Sequence, residues 1–186
     1  MSEQRSPPSS FDDLAAYYGW ALAQESGRTE LVDGLVVTMA AEQLGHVRAK
    51  TRAWLALTRA IEESGAPCEA LADGVTVEVG DRTAYEPDAV VNGGERIDDT
   101  QAAAPRPIII VEVTSPSNSR VDLFTKAADY LRLPTLQHYL VVHLAKRVVI
   151  HHGRQADGKF SISILASGPI VMDPPGIAIT VEQLLG

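Results

Sequence analysis

The chain has 186 residues, of which 45% are hydrophobic and 22% charged, with a formal net charge of −8. This length suits one sizeable core, and the composition is ordinary for a globular protein. The acidic balance excludes a general basic nucleic-acid-coating protein, but not an enzyme that works through a local basic patch and a metal ion.

Residues 1–10 are polar and proline-rich and read as a flexible terminus; they lack the apolar core of a signal peptide. Residues 11–186 read as a single domain. Ser10, with Asp13 three residues later, resembles a capping box that opens a short helix through Tyr17 and Tyr18. Glu30 to Val37 reads as a hairpin turning on Asp33-Gly34. A long amphipathic helix follows from about Glu42 to Ser64, ended by Gly65 and Pro67. Val47, Thr51, Trp54, Leu55, Thr58 and Ile61 share its inward face, and Arg48, Lys50, Arg52 and Arg59 decorate much of the rest as a solvated face. Val75 to Val79 alternates like a half-buried strand, and Tyr85 to Val91 is a second strand, entered through Pro87.

Pro107 to Val113 is apolar until Glu112 and reads as a central strand. Ser115 to Ser119 is a turn into a helix from about Val121 to Leu131, and Pro134 closes that connection. Tyr139 to Val142 is the next strand. Lys146 to His151 and Phe160 to Leu165 form a hairpin around Asp157-Gly158, and Val181 to Leu185 is a short last helix. The order predicts a mixed α/β sheet flanked by helices. Cys68 is the one cysteine, so no internal disulfide forms and a reduced setting is expected; nothing nearby looks like an activating partner for a catalytic thiol. No apolar run approaches the roughly 20 residues of a membrane span. A cytoplasmic protein is expected.

Glu112 carries the strongest chemical signal. A carboxylate on the most buried strand is costly unless it is paired or binds a cation. Asp88 follows Pro87 in another strand; if the two strands are neighbours, both carboxylates converge. Hard divalent cations such as Mg²⁺ favour a few carboxylates, with the remaining positions left to water and phosphate, and the Val113 carbonyl can add a ligand. Lys126 lies four residues after Asp122 on one helix face. A lysine folded back toward the strand end can hold an attacking water or stabilise charge developing on phosphorus. The pair His151-His152 looks like a metal pair, but neighbours on a strand point to opposite faces, so a solvated strand end is the expected reading. Asp98-Asp99 reads as a loop.

Taken in order, Pro87-Asp88, Glu112-Val113-Thr114-Ser115-Pro116-Ser117, Asp122, Lys126 and Tyr130 resemble the bacterial Uma-two family, described as putative restriction endonucleases, within the PD-(D/E)XK nuclease superfamily. Glu30-Leu31-Val32-Asp33-Gly34, His46 and His138-Tyr139-Leu140-Val141-Val142 extend the likeness to most of the chain. The resemblance implies a restriction-endonuclease-like fold and a Mg²⁺-dependent, or Mn²⁺-dependent, endodeoxyribonuclease acting on DNA. It implies Asp88 and Glu112 as metal ligands, Lys126 in the lysine role and Glu30 as an upstream acidic residue supporting metal or water. Asp122 and Tyr130 match recurrent helix positions. The superfamily's usual lysine would stand two residues after the acid, where this chain has Thr114. Leu35 and His143 replace an acidic residue often found after the Asp-Gly turn and after the Tyr-Leu-Val-Val strand. A homodimer is compatible with cutting two strands. Two other readings stand beside this one: a catalytically inactive nuclease fold kept as a binding or assembly module, and a metal-dependent phosphodiesterase on a non-DNA substrate.

Overall fold

In the computed structural model, Asp13 accepts a hydrogen bond from the Ala16 backbone N–H (2.8 Å) and so starts α1 (Leu14–Ala21). This corrects the expected capping box: Asp13 is itself the cap, and Ser10 lies outside the helix, bridged to Leu35. The described residues are 8–24, 27–114 and 120–186, with the side chains of 120–122 set aside. Most of the proline-rich start, the Ser115–Ser119 turn and the side chain of Asp122 therefore lie outside them.

The hairpin forms where expected. Asp33 (φ 51°) and Gly34 (φ 83°) both take left-handed backbone and join β1 (Thr29–Val32) to β2 (Leu35–Thr38), as an Asp-Gly turn favours. α2 (Leu44–Ser64) follows and ends at Gly65, whose φ of 67° supplies the left-handed cap. Next come β3 (Cys68–Ala72), β4 (Val77–Gly80), β5 (Thr83–Tyr85) and β6 (Ala89–Gly93). The expected strand from Tyr85 to Val91 is thus two strands in two sheets, with Glu86-Pro87-Asp88 as the crossing. Proline there removes a ladder donor and breaks the pairing. β3 is a strand the sequence reading missed, because Cys-Glu-Ala-Leu-Ala has neither alternation nor β-branched residues.

β7 (Pro107–Thr114) is buried along its whole length. α3 (Arg120–Tyr130), β8 (His138–His143), a 3-10 turn (Leu144–Lys146), β9 (Val148–Arg154), β10 (Phe160–Leu165), β11 (Pro169–Met172), β12 (Ile177–Thr180) and α4 (Val181–Leu185) complete the described elements. The strands order as β10-β9-β8-β7-β6-β3 in one sheet and β2-β1-β5-β4 in a second, with β11-β12 as a separate pair. Within the larger sheet β7 and β8 run parallel and the other pairs antiparallel. The result is a mixed sheet flanked by helices, as the order of elements predicted.

Alternation along β7 builds two cores. Ile109, Val111 and Val113 join Ala89, Val91, Leu140 and Val142 against α2, α4 and the β11-β12 pair. Ile110 joins Val90, Tyr85, Tyr130, Tyr139 and Leu136 on the opposite face. The inward face of α2 differs from expectation. It is an alanine stripe, Ala49, Ala53, Ala56 and Ala60, with Leu57 and Ile61, while Val47 and Leu55 stay 36% and 37% exposed. Small residues let the helix lie close to the sheet, and a reading weighted by side-chain size rotates the face the wrong way. Lys50, expected on a solvated face, is buried.

Candidate active site

Topology alone brings the two carboxylates together. β6 and β7 are antiparallel neighbours with Ala89 opposite Val111, so one step further sets Asp88 beside Glu112 at the C-terminal end of β7. Asp88 Oδ2 accepts from the Val113 backbone N–H at 2.6 Å. Both side chains belong to buried residues, Asp88 6% and Glu112 5% exposed.

β7 and β8 are parallel, so their connection must cross a face of the sheet. α3 crosses the face that carries Glu112. Lys126 and Tyr130, one helical turn apart, both point inward from it. Lys126 Nζ donates to Glu30 Oε1 at 2.7 Å and lies 3.8 Å from Glu112 Oε1. Tyr130 donates its hydroxyl to the same Glu112 oxygen at 3.0 Å. Lys126 Nζ also sits 5.2 Å from the centre of the Tyr85 ring.

Glu30 arrives from the second sheet. Its Oε1 accepts both from Lys126 and from the backbone N–H of Glu86 (2.9 Å). The Glu86-Pro87-Asp88 crossing therefore fixes two parts of the site at once. One end of it holds Glu30, and the other presents Asp88.

α2 contributes from the opposite side. His46, in its first turn, donates from Nε2 to the Val113 carbonyl (2.9 Å), and that nitrogen lies 3.4 Å from Asp88 Oδ2. The Asp88 carboxylate raises the His46 pKa to about 9, burial opposes the rise, and Val113 and Glu42 add to it. Glu42 Oε2 lies 3.6 Å from His46 Nδ1, and Glu42, His46 and Asp88 each offer one ligand atom within 4.8 Å of the others.

The electrostatics are unbalanced. Three buried carboxylates, Glu30, Asp88 and Glu112, face one lysine and one histidine. Burial pushes the Glu112 pKa well up; Lys126 pulls it back, while the negative charges of Asp88 and Glu30 push it further. Tyr130 is likewise held far above its ordinary value by burial and by Glu112.

The structure thus brings Asp88, Glu112, Val113, Lys126 and Glu30 to one place. Reading the sequence underweighted His46, whose signals were its position at the start of a helix and its place in the family likeness. The Tyr130 bond to Glu112 was legible only as a tyrosine four residues after Lys126. His151 and His152 do not join the site. They point to opposite faces as expected, but both are half-buried rather than solvated: His151 meets His138 at 2.9 Å, and His152 meets the Tyr139 carbonyl at 3.3 Å. Thr114, in the usual lysine position, is buried at the end of β7 beside His143 of β8. Cys68 is half-buried, and burial raises its thiol pKa, the opposite of activation.

This mixed sheet flanked by helices, with buried carboxylates at the end of a central strand, has a nuclease-like fold. It is similar to the crystal structure of a protein from Anabaena variabilis described as a putative nuclease belonging to DUF820, with a TM-score of 0.66 at 13% identity, covering 84% of this chain and 89% of that one. The family model named Uma2, described as "Putative restriction endonuclease", matches residues 11–182, and the chain belongs to that family. Comparison with curated proteins finds no match. No helix among the described residues is long and apolar enough to cross a membrane.

Proposed function

We propose that this protein is a divalent-metal-dependent nuclease that hydrolyses DNA phosphodiester bonds, with Asp88, Glu112, Lys126 and Glu30 as its working side chains. The observation that carries this reading is the excess of buried negative charge around Glu112. Burial, with the negative charges of Asp88 and Glu30 adding to it, lifts this carboxylate, and a bound cation would relieve that cost.

The donor set fits the proposed ion. Among the described residues, Asp88 Oδ1 and Glu112 Oε2 accept no hydrogen bond, while the other oxygen of each is held by Val113 N–H and by Tyr130. Carboxylates of Asp88 and Glu112 on neighbouring strands, with the Val113 carbonyl as a further oxygen, would suit Mg²⁺ or Mn²⁺, whose other positions go to water and phosphate. Bound there, the ion would acidify a water and neutralise charge on the phosphate.

The chain's own residues do the rest. Tyr130 holds Glu112 in one rotamer. His46 ties the Val113 carbonyl and Asp88 together, fixing the second carboxylate against the first. Glu30, anchored on Glu86 N–H, holds the Lys126 ammonium at the edge of the acidic cluster. From there the ammonium can donate to a phosphate oxygen or orient the attacking water, in an environment where burial strengthens the interaction.

The net charge of −8 favours a second reading, a nuclease fold kept for binding or assembly without cleavage. Incubating the purified protein with supercoiled plasmid and labelled oligonucleotides, with Mg²⁺, with Mn²⁺ and with chelator, separates the two. Metal-dependent cleavage that Glu112→Ala and Asp88→Ala abolish is the expected result. No cleavage by the wild-type protein with either metal overturns the proposal.

A further inference from the structure

A cavity of about 390 Å³ opens beside the site, between α1 and the 73–76 and 101–102 segments. Its size is in the range that takes a small planar ligand. Tyr17 and Tyr18 of α1 line one side and Ala102 the other, with Arg28, Asp73 and Glu86 among the polar lining.

The hydrogen-bonding capacity left in this cavity is weighted toward acceptors, although Arg28 Nη2 makes no hydrogen bond and the exposed Gln101 amide also lines it. Arg28 donates to Glu86 Oε1 (2.6 Å) and Asp73 Oδ2 (2.7 Å), and Lys50 donates to the same Asp73 oxygen at 2.5 Å. Both cations are already ion-paired, Arg28 with Asp73 and Glu86 and Lys50 with Asp73 and Glu42, so an entering phosphate would compete with carboxylates for them. Thr76 donates to the Ala102 carbonyl, which makes Tyr18 the donor to Thr76 Oγ1, at 2.9 Å; its proton is committed as well. Asp73 Oδ1 and Glu86 Oε2 remain, with no donor among the described residues. The cavity is therefore acceptor-rich, walled on one side by tyrosines, with its cations already paired.

Its position ties it to the acidic site. Arg28, just before β1, and Glu30, within it, are alternate residues about 7 Å apart at strand spacing, one reaching the cavity and the other Lys126. Glu86 lines the cavity, and its own backbone N–H holds Glu30.

We infer that this cavity binds a nucleobase carrying an exocyclic amine, turned out of the substrate strand, with its ring against Tyr18 and its amino group donating to Asp73 or Glu86. The biological meaning rests on the nuclease reading; the binding itself does not. Aromatic stacking would contribute affinity for any base, and the two carboxylates would favour those that donate, because a base without the amine would cover these acceptors without pairing them.

The test is titration of the full chain, in chelator so that nothing is cleaved, with deoxyadenosine, deoxycytidine, deoxyguanosine and thymidine, followed by calorimetry or ligand-observed NMR. The three amino-bearing nucleosides are expected to bind roughly tenfold tighter than thymidine. Ala102→Phe and Ala21→Phe, which fill the cavity from opposite walls, are expected to remove the binding while circular dichroism stays that of the wild type. Equal affinity for thymidine, no binding at millimolar nucleoside, or unchanged binding in a folded filler variant overturns the inference; if neither filler folds, the wild-type preference decides alone. Nucleoside binding of this pattern without DNA cleavage supports the cavity and leaves the nuclease reading to fall by itself. Cleavage without nucleoside binding does the reverse.

Discussion

Replacing Glu112 by glutamine should make the metal-free protein more stable while removing its response to metal. The amide keeps the shape and still accepts from Tyr130, whose hydroxyl lies 3.0 Å from Oε1, so the change is close to removal of one charge. The ordinary pKa of this group is 4.5, and burial with Asp88 and Glu30 raises it. A carboxyl whose folded pKa is raised makes the protein lose stability as pH climbs from its unfolded value to its folded one. At pH 7 that loss cannot exceed the gap from 4.5, which at about 1.4 kcal/mol per pH unit is roughly 3 kcal/mol. Lys126 nearby returns part of it, so a gain of about 1–3 kcal/mol is expected for Glu112→Gln, or roughly 2–10 °C in Tm for a chain of this size. The assay is thermal denaturation with chelator and with Mg²⁺ or Mn²⁺ across pH 4–8. The advantage of the variant should vanish near pH 4.5 and grow as pH rises. The wild type alone should gain Tm with metal, by about 2.7 kcal/mol at a hundredfold excess over Kd. A variant less stable than wild type in chelator, or one that keeps the metal-induced rise, refutes the idea of an uncompensated negative site.

Lys126→Met should act in the opposite sense, since it strands the buried Glu30 carboxylate now paired at 2.7 Å; a loss of about 3–5 kcal/mol is expected from chemical denaturation, and Glu30→Gln in the same chain should restore part of it. An unchanged midpoint for Lys126→Met would contradict the geometry. His46, raised to about 9 chiefly by Asp88, should contribute stability that is complete below pH 6.5 and fades as pH climbs through 9. NMR titration of its ring should follow that curve, and the pH dependence of Tm in this window should flatten in His46→Gln. Asp13→Ala should cost about 1 kcal/mol by removing the cap of α1, whereas Ser10→Ala should leave the Tm unchanged; the reverse would restore Ser10 as the cap.

Much of this fold was legible because local rules and tertiary packing agree. The Asp33-Gly34 turn, the apolar run to Glu112 and the last helix all fall where period and turn chemistry put them. Misreadings cluster where two structures compete for the same residues. Tyr85 to Val91 has strand character throughout, yet Pro87 hands the chain from one sheet to another, and only the pairing partners reveal the change. α2 exposes some of its larger apolar side chains and buries its alanines, because the distance to the sheet, rather than hydrophobicity, selects the face. Lys50 was taken for a solvated residue because Glu42 and Asp73, the acids that neutralise it, lie eight residues before it and twenty-three after it. β11 and β12 pass unnoticed because each is four residues long and pairs only with the other.

For the candidate site the division falls along a similar line. Asp88 and Glu112 announce themselves because each breaks a local rule: a carboxylate after a strand proline, and a carboxylate on a buried strand. Lys126 breaks none, since a helical lysine is ordinary. What gives it meaning is the parallel pairing of β7 and β8, which forces α3 across the Glu112 face of the sheet. Any inward side chain one turn ahead of Tyr130 then reaches the end of β7, close to the place a lysine at position 114 would approach from the strand itself. On the proposed reading, Thr114 would then stand where the strand lysine is missing while Lys126 brings its charge to the same end of β7 from the crossover helix. The anchor on Glu30 matters because a lysine carries its charge on a flexible stem, and a fixed carboxylate from a second sheet holds that ammonium beside Glu112.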